Sequence, residues 1–301
     1  MNSNLRFASI DIGSNAIRLL FSRMIENGIK SPFFIKESLI RIPLRLGQDS
    51  FNNGEISEKN CKKFVSTMIG FKNLIDAYDP LSFRACATAA MRNAKNGIDL
   101  VRRVKLKTGI KIDIINGSEE ASIILSKNIK QYLKKEKSYL HIDVGGGSTE
   151  LIFIANSLVQ KSKSFPIGSV RLLERQVDKS SWNDMKEWIK RNTRSLAGIK
   201  TIGSGGTINK IAVMLGNKKG QYSHYNRIRV LIKKIKSRDF HHRITEFGLR
   251  PDRADVIIPA SKIYIKCMKW SKSQKILVPQ SGLADGIIEQ LYDNYKKFSK
   301  N

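Results

Sequence analysis

Cysteine is scarce. The chain of 301 residues holds three, Cys61, Cys86 and Cys267, scattered and with no CxxC pair. That argues against a disulfide framework and against a zinc site, and it fits a reduced, cytoplasmic protein with ordinary buried thiols. The four histidines, His141, His224, His241 and His242, show no HxxH or HxxxH spacing, so neither a histidine metal site nor a Ser–His–Asp triad has support. His141 lies in an apolar run and is read as facing a core; the others read as surface residues. No apolar stretch approaches the ~18 residues of a spanning helix, and the start, Met1 to Arg6, has no apolar signal core before a small-residue cleavage site. No membrane partner is expected. Acids are scarce too: 26 Asp+Glu against 54 Lys+Arg, a formal net charge of +28. Such a balance suits a polyanionic partner. The basic residues are nevertheless spread along the chain, with short clusters at Lys134-Lys135 and Lys233-Lys234-Ile235-Lys236 and no basic tail or aromatic-interleaved pattern. We read the excess as compositional drift rather than a dedicated nucleic-acid surface.

What is present is a hydrophobic content of 41 %, enough for real cores, and a length that favours about two domains. Residues 5–25 read as a hairpin: an apolar strand, a turn at Asp11-Ile12-Gly13-Ser14-Asn15, and a second strand. A strand over 33–46 follows. Ser57 then opens a helical spacing through Asn60, Phe64, Met68, Phe71 and Ile75. A strand over Phe83–Ala90, a basic helix over Leu100–Lys107, a strand at Ile112–Ile115 and a helix from Ser118 to about Lys135 complete the first block. The plan then repeats. Leu140–Asp143 is a strand, Val144–Thr149 a glycine-rich turn and Glu150–Ile154 a second strand. A further extended piece, a helix near 182–196, a strand at Ile199–Ile202 and a helix after Thr207 come next. The tail reads as a helix over Ala254–Trp270, a strand over Lys275–Pro279 and a helix over Gly282–Phe298. A strand–Asp–Gly-rich turn–strand unit that opens two blocks of similar size marks a duplication. It predicts an α/β protein of two lobes facing each other across a cleft, 1–125 and 126–301.

Three consecutive glycines, Gly145, Gly146 and Gly147, sit between two apolar strands. Without Cβ atoms, and with φ > 0 accessible, their N–H groups can converge into an anion nest suited to phosphate. Ser148 and Thr149 add hydroxyl donors. Asp143 and Glu150 bracket the turn. Two carboxylates beside a phosphate nest are unfavourable unless a cation lies between them, and Mg²⁺, or another divalent cation, suits hard oxygen ligands shared with phosphate. Asp11, the counterpart of Asp143, joins these acids as a candidate ligand. In the first turn Ser14 and Asn15 are candidate phosphate donors. Gly203-Ser204-Gly205-Gly206-Thr207 leads from a strand into a helix, so Gly205 and Gly206 offer amides at a helix start, although a plain tight turn accounts for the segment as well. Glu119-Glu120 opens another helix. Acids there favour the macrodipole; a carboxylate aimed into a cleft would also serve as a general base.

Seven ordered segments carry a resemblance. They are Asp11–Asn15, Ala87–Asn96, Gly117–Ala121, Asp143–Glu150, Phe165-Pro166-Ile167-Gly168-Ser169-Val170-Arg171, Gly203–Thr207 and Gly248–Asp255. Together, over almost the whole chain, they resemble the exopolyphosphatase / guanosine pentaphosphate phosphohydrolase (Ppx/GppA) family. The resemblance implies two ribonuclease-H-like lobes of the actin, sugar kinase and heat-shock ATPase superfamily, with an interlobe phosphate site and Mg²⁺-dependent hydrolysis of a terminal phosphoanhydride. It implies that Glu120 activates the attacking water, with Glu119 the competitor for that role. Asp143 and Glu150 become metal-linked carboxylates, Arg92 a phosphate-gripping arginine and the glycine-rich loops phosphate loops. Two departures stand out. Ala16 replaces a common serine, which removes a hydroxyl donor. The chain also stops at 301, where long members continue into a helical HD-like region, so handling of long polymers is in question. The expected substrate is inorganic polyphosphate, shortened from its end to release orthophosphate. The alternatives are guanosine pentaphosphate and, in a different class, a non-catalytic nucleotide- or polyphosphate-binding regulator. The assembly state, a homodimer included, stays open.

Overall fold

A computed structural model describes residues 5–26, 32–125, 127–194, 196 and 198–298. The chain forms two compact units, Met1–Asn116 with Leu283–Asn301, and Gly117–Gly282.

In the first unit, β1 (Leu5–Ile12), β2 (Ile17–Ile25) and β3 (Phe33–Ile42) are antiparallel neighbours. Helices α1 (Leu46–Asn53) and α2 (Glu58–Tyr78) lead to β4 (Ser82–Ala87), followed by α3 (Ala89–Asn93), α4 (Gly97–Thr108) and β5 (Ile112–Ile114). Strands β4 and β5 add in parallel, giving the order β3-β2-β1-β4-β5. The helical spacing expected after Ser57 holds: Phe64, Met68, Phe71 and Ile75 are buried along one face of α2, and the Ser57 hydroxyl caps it by accepting from Asn60 N–H. They pack with Ile10, Ile12, Leu19 and Ala85 of the sheet.

The second unit holds α5 (Gly117–Ile124), α6 (Lys127–Lys130), β6 (Tyr139–Val144), β7 (Thr149–Ala155), β8 (Leu158–Phe165), α7 (Ser169–Leu173), α8 (Lys179–Thr193), β9 (Lys200–Ser204) and α9 (Gly206–Met214). Then come β10 (Gln221–His224), α10 (Tyr225–Lys236), α11 (Phe240–Phe247), α12 (Pro251–Ala254), α13 (Ile257–Trp270) and β11 (Lys275–Val278). Its sheet runs β10-β11-β9-β6-β7-β8. Read from β8 to β11 this repeats the first sheet, with the same antiparallel β6–β7 hairpin and the same parallel β9 beside it. The duplication read from the two Asp–Gly turns is thus a duplication of topology, two ribonuclease-H-like α/β lobes. The extra strand β10 pairs antiparallel with β11.

The units do not divide the chain as the sequence reading did, at 125 and once. The first division falls at Asn116, and the last helix, α14 (Leu283–Phe298), belongs to the first unit. Its Ala284, Ile288 and Tyr292 pack on Leu5, Phe7, Leu20 and Met24 of β1 and β2, and Ser9 Oγ donates to Ala284 O across 2.9 Å. The helix expected from Ser118 to Lys135 stops at Ile124, and the one expected over 254–270 is broken between Ala254 and Ile257. Among the described residues no helix is long and apolar enough to cross a membrane.

Candidate active site

Equivalent positions of the two hairpins carry different charges. In the first unit Asp11 stands opposite Arg18 on β2, and the two form an ion pair of 2.5 Å. In the second unit Asp143 stands opposite Glu150. Two facing carboxylates repel unless something positive is shared.

A third carboxylate joins them. Glu120 lies in the first turn of α5, which packs on β7 and β8. Glu120, Asp143 and Glu150 are all buried, and one carboxylate oxygen of each lies within 4.8 Å of the other two. Gly117 makes the approach of α5 feasible. A Cβ there would stand 2.4 Å from Ser164 Cβ on β8, too close for any side chain. Glu119 is partly exposed and outside this cluster. Asp11 is also outside it, engaged with Arg18.

Each acid is held by neighbours. Ser148 and Ser164 both donate to Glu150 Oε1, at 2.7 and 2.8 Å. Ser204 Oγ, at the end of β9, donates to Asp143 Oδ1 and lies 3.0 Å from His141 Nε2. Tyr264, fully buried on α13, donates to Ser204 O and accepts from Val144 N–H at 3.3 Å. It therefore ties together the ends of β6 and β9, from which the Gly145 and Gly205 loops depart. Burial, together with the Asp143 charge, pushes its phenol well above the ordinary range.

The Gly145–Gly147 loop is fixed through its carbonyls. Ser169 N–H donates to Gly145 O (3.0 Å), Val170 N–H to Gly146 O (2.8 Å) and Arg171 Nε to Gly147 O (3.0 Å). With the carbonyls engaged by α7 and Gly145 N–H donating to Ser148 O at 3.0 Å, the N–H groups of Gly146 to Ser148 are what the loop offers a ligand. None of the three glycines has a positive φ, so left-handed freedom is not why they are there. Close approach is what requires glycine at Gly168, where a Cβ would fall 2.3 Å from Gly146 O. This gives the Phe165–Arg171 segment its purpose as a latch on the loop.

The remaining expected residues divide. Gly205 and Gly206 form the entry to α9, with Gly205 capping it. Thr149, expected as a ligand donor, is buried and its hydroxyl donates to Ile167 O at 2.5 Å, so it fastens the loop. Ser148, also expected to face phosphate, spends its hydroxyl proton on Glu150. In the first unit Ser14 and Asn15 are pinned by their carbonyls, to Gly47 N–H (2.8 Å) and Arg45 N–H (3.1 Å). Arg92 Nη1 donates to Ile115 O at 2.5 Å, which anchors its guanidinium. Ser164, Ser204 and Tyr264 were not anticipated. Ser204 belongs to the Gly203–Thr207 segment, but its hydroxyl acts on Asp143 through β6–β9 pairing, which no local pattern reveals.

Comparison with known proteins agrees with this architecture. The Ppx/GppA phosphatase family matches residues 38–295, and the chain belongs to it. A bifunctional 3-dehydroquinate synthase/phosphatase of Fusobacterium nucleatum is 26 % identical over 97 % of this chain and 47 % of its own length. Exopolyphosphatase 1 of Mycobacterium bovis is 27 % identical over 56 % of this chain and 48 % of its own. This chain therefore spans about half the length of these curated relatives. The crystal structure of the Aquifex aeolicus Ppx/GppA family member superimposes with a TM-score of 0.76 at 25 % identity, covering 96 % of this chain and 98 % of that one.

Proposed function

We propose that the chain is a phosphoanhydride hydrolase that removes the terminal phosphate of inorganic polyphosphate, aided by Mg²⁺. The observation that carries this reading is the buried triad of Glu120, Asp143 and Glu150 beside a glycine loop fixed by its carbonyls. Family membership and the similarity to exopolyphosphatase 1 of Mycobacterium bovis support it.

The residues fit a hard divalent cation. Asp143 and Glu150 would hold it through carboxylate oxygens, and with Glu120 beside them three like charges are buried together, which is costly without a cation to offset them. Glu150 and Asp143 are each oriented by serine hydroxyls, as ligands held in one geometry should be. When bound, the ion would supply charge neutralisation for phosphate oxygens.

The chain's own residues do the rest. The transition state of phosphoryl transfer spreads negative charge over the transferred oxygens. The N–H groups of Gly146 to Ser148 and of the α9 entry are suited to donate to that charge without reorganising. Arg92, held at one nitrogen by Ile115 O, is our choice for a forked donor to phosphate. Glu120 takes the proton of the attacking water, and Glu119, outside the cluster, does not.

The test is phosphate release from polyphosphate, guanosine pentaphosphate and ATP, each with Mg²⁺ and with excess chelator. Turnover is expected on polyphosphate, abolished by chelation. Faster turnover of guanosine pentaphosphate would move the substrate to the family's other branch. Binding without turnover of any of the three would make the protein a regulator.

A further inference from the structure

The phosphate loops leave the C-terminal ends of β6 and β9. The opposite edge of the same sheet, where these parallel strands begin, carries a separate concentration of positive charge. Lys137 precedes β6, Lys200 opens β9 and Lys275 opens β11. Lys200 and Lys275 both lie over the ring of Tyr222 on β10, with their ammonium groups 5.6 and 4.9 Å from its centroid. The Lys137 ammonium packed against Lys200, partial burial, and the charges of Lys275 and Lys134 bring the Lys200 amine down to about 8. Drift in composition scatters lysines; here the charges of three others act on the one amine of Lys200.

The charge continues sideways. Tyr225 N–H donates to Gln274 O beside Lys275. Gln274 and Tyr225 line a cavity of about 700 Å³ with Arg229, Lys269 and Lys272, and no acid lines it. Lys272 also lines a neighbouring cavity of about 560 Å³ with Lys190, Arg191, Arg194 and Trp270, where Glu187 is the one acid. A run of amines around one sheet edge thus meets two basic hollows that share a residue.

We propose that this edge of the second unit is an accessory site for inorganic polyphosphate, which holds a distal stretch of a long chain away from the end being hydrolysed. The proposal rests on the reading of polyphosphate as substrate. A polyanion without bases suits the surface better than a single-stranded nucleic acid does. Nucleic acids that bind without sequence preference stack their bases on open aromatic faces. Here Tyr222 carries Lys200 and Lys275, Tyr225 carries Arg229, and Trp270 carries Lys266 over the ring. Lys200 and Ser204 lie at opposite ends of β9, on the order of 13 Å apart at the rise of a strand. Only a long chain can reach both; tripolyphosphate occupies one.

The experiment compares wild type with the Lys200→Glu/Lys275→Glu double variant, with circular dichroism confirming both are folded. Binding of long-chain polyphosphate is measured by calorimetry with chelator present, so no turnover is needed, and KM is measured on long chains and on tripolyphosphate. The variant should bind long chains about tenfold or more weakly at low salt, converging with wild type at high salt. Its KM should rise on long chains and stay within twofold on tripolyphosphate. Unchanged long-chain binding overturns the proposal, whatever the hydrolysis shows. So does tighter binding of a single-stranded oligonucleotide than of polyphosphate, lost in the variant. Lysine-dependent polyphosphate binding by a protein that hydrolyses none would uphold the accessory site and overturn the proposed reaction.

Discussion

His141 Nε2 stands 3.0 Å from Ser204 Oγ, and that hydroxyl gives its single proton to Asp143. The serine must therefore accept from histidine, which fixes the Nε2–H tautomer. Burial alone pulls the imidazole down to about 4 and keeps it neutral, and Nδ1 has no hydrogen-bond partner among the described residues. A buried histidine that reads as core in the sequence thus orients an acid two residues further along its own strand, by way of the neighbouring strand.

Removing the middle member should loosen the acid. Ser204→Ala is expected to weaken divalent-cation binding by about 10–100-fold, the usual cost of deleting a partner behind a ligand. Isothermal titration with Mn²⁺ or Mg²⁺ checks this, with the thermal midpoint of the cation-free protein recorded beside it.

Gly168→Ala places a Cβ where Gly146 O lies 2.3 Å away, and backbone on both sides has no easy route aside. Overpacking of this kind costs about 1–3 kcal/mol. A lowered unfolding temperature and a large loss of phosphate release are expected together, since the same contact sets the loop.

The two adjacent acids of α5 should behave unequally. Glu120 is buried in the triad, whereas Glu119 is partly exposed. Glu120→Gln should lower kcat by about 10²–10⁴, the contribution of a general base. Glu119→Gln should change it little, since a surface acid near a helix start is worth about 0.3–1 kcal/mol of helix stability. Steady-state kinetics on both folded variants decides the assignment.

Lys200 makes a pH prediction. Its folded-state pKa of about 8 lies below the ordinary lysine value of 10.5, so the unfolded chain binds more protons between these values. The destabilisation from crowding by Lys137, Lys275 and Lys134 is present below pH 8 and is relieved as pH rises towards 10.5. Lys200→Met should be more thermostable than wild type at pH 7, with the difference shrinking at pH 9.5 and in high salt.

Local features were legible in the sequence. Both hairpins, the amphipathic α2 and the glycine turns depend on neighbours within a few residues, and the paired Asp turns carried the duplication. The return of α14 to the first unit was not legible, because Ser9 and Ala284 meet only in the folded chain. Nor was the break between Ala254 and Ile257, since the apolar spacing there continues through it. At the site, Asp143, Glu150 and Glu120 were found from their motifs. The expected roles of Ser148 and Thr149 were not kept, because a hydroxyl beside a phosphate loop looks the same in sequence whether it faces a ligand or fastens the loop. Asp11 resembles Asp143 in its turn, and only the facing residue, Arg18 rather than Glu150, separates the two.

The most direct test of the account is orthophosphate release from polyphosphate by wild type and by Asp143→Asn, each across a Mg²⁺ titration. Release by wild type should depend on Mg²⁺, and Asp143→Asn should stay folded yet be nearly inactive at every concentration. Wild-type release that is unaffected by chelator, or full activity in Asp143→Asn, would contradict it.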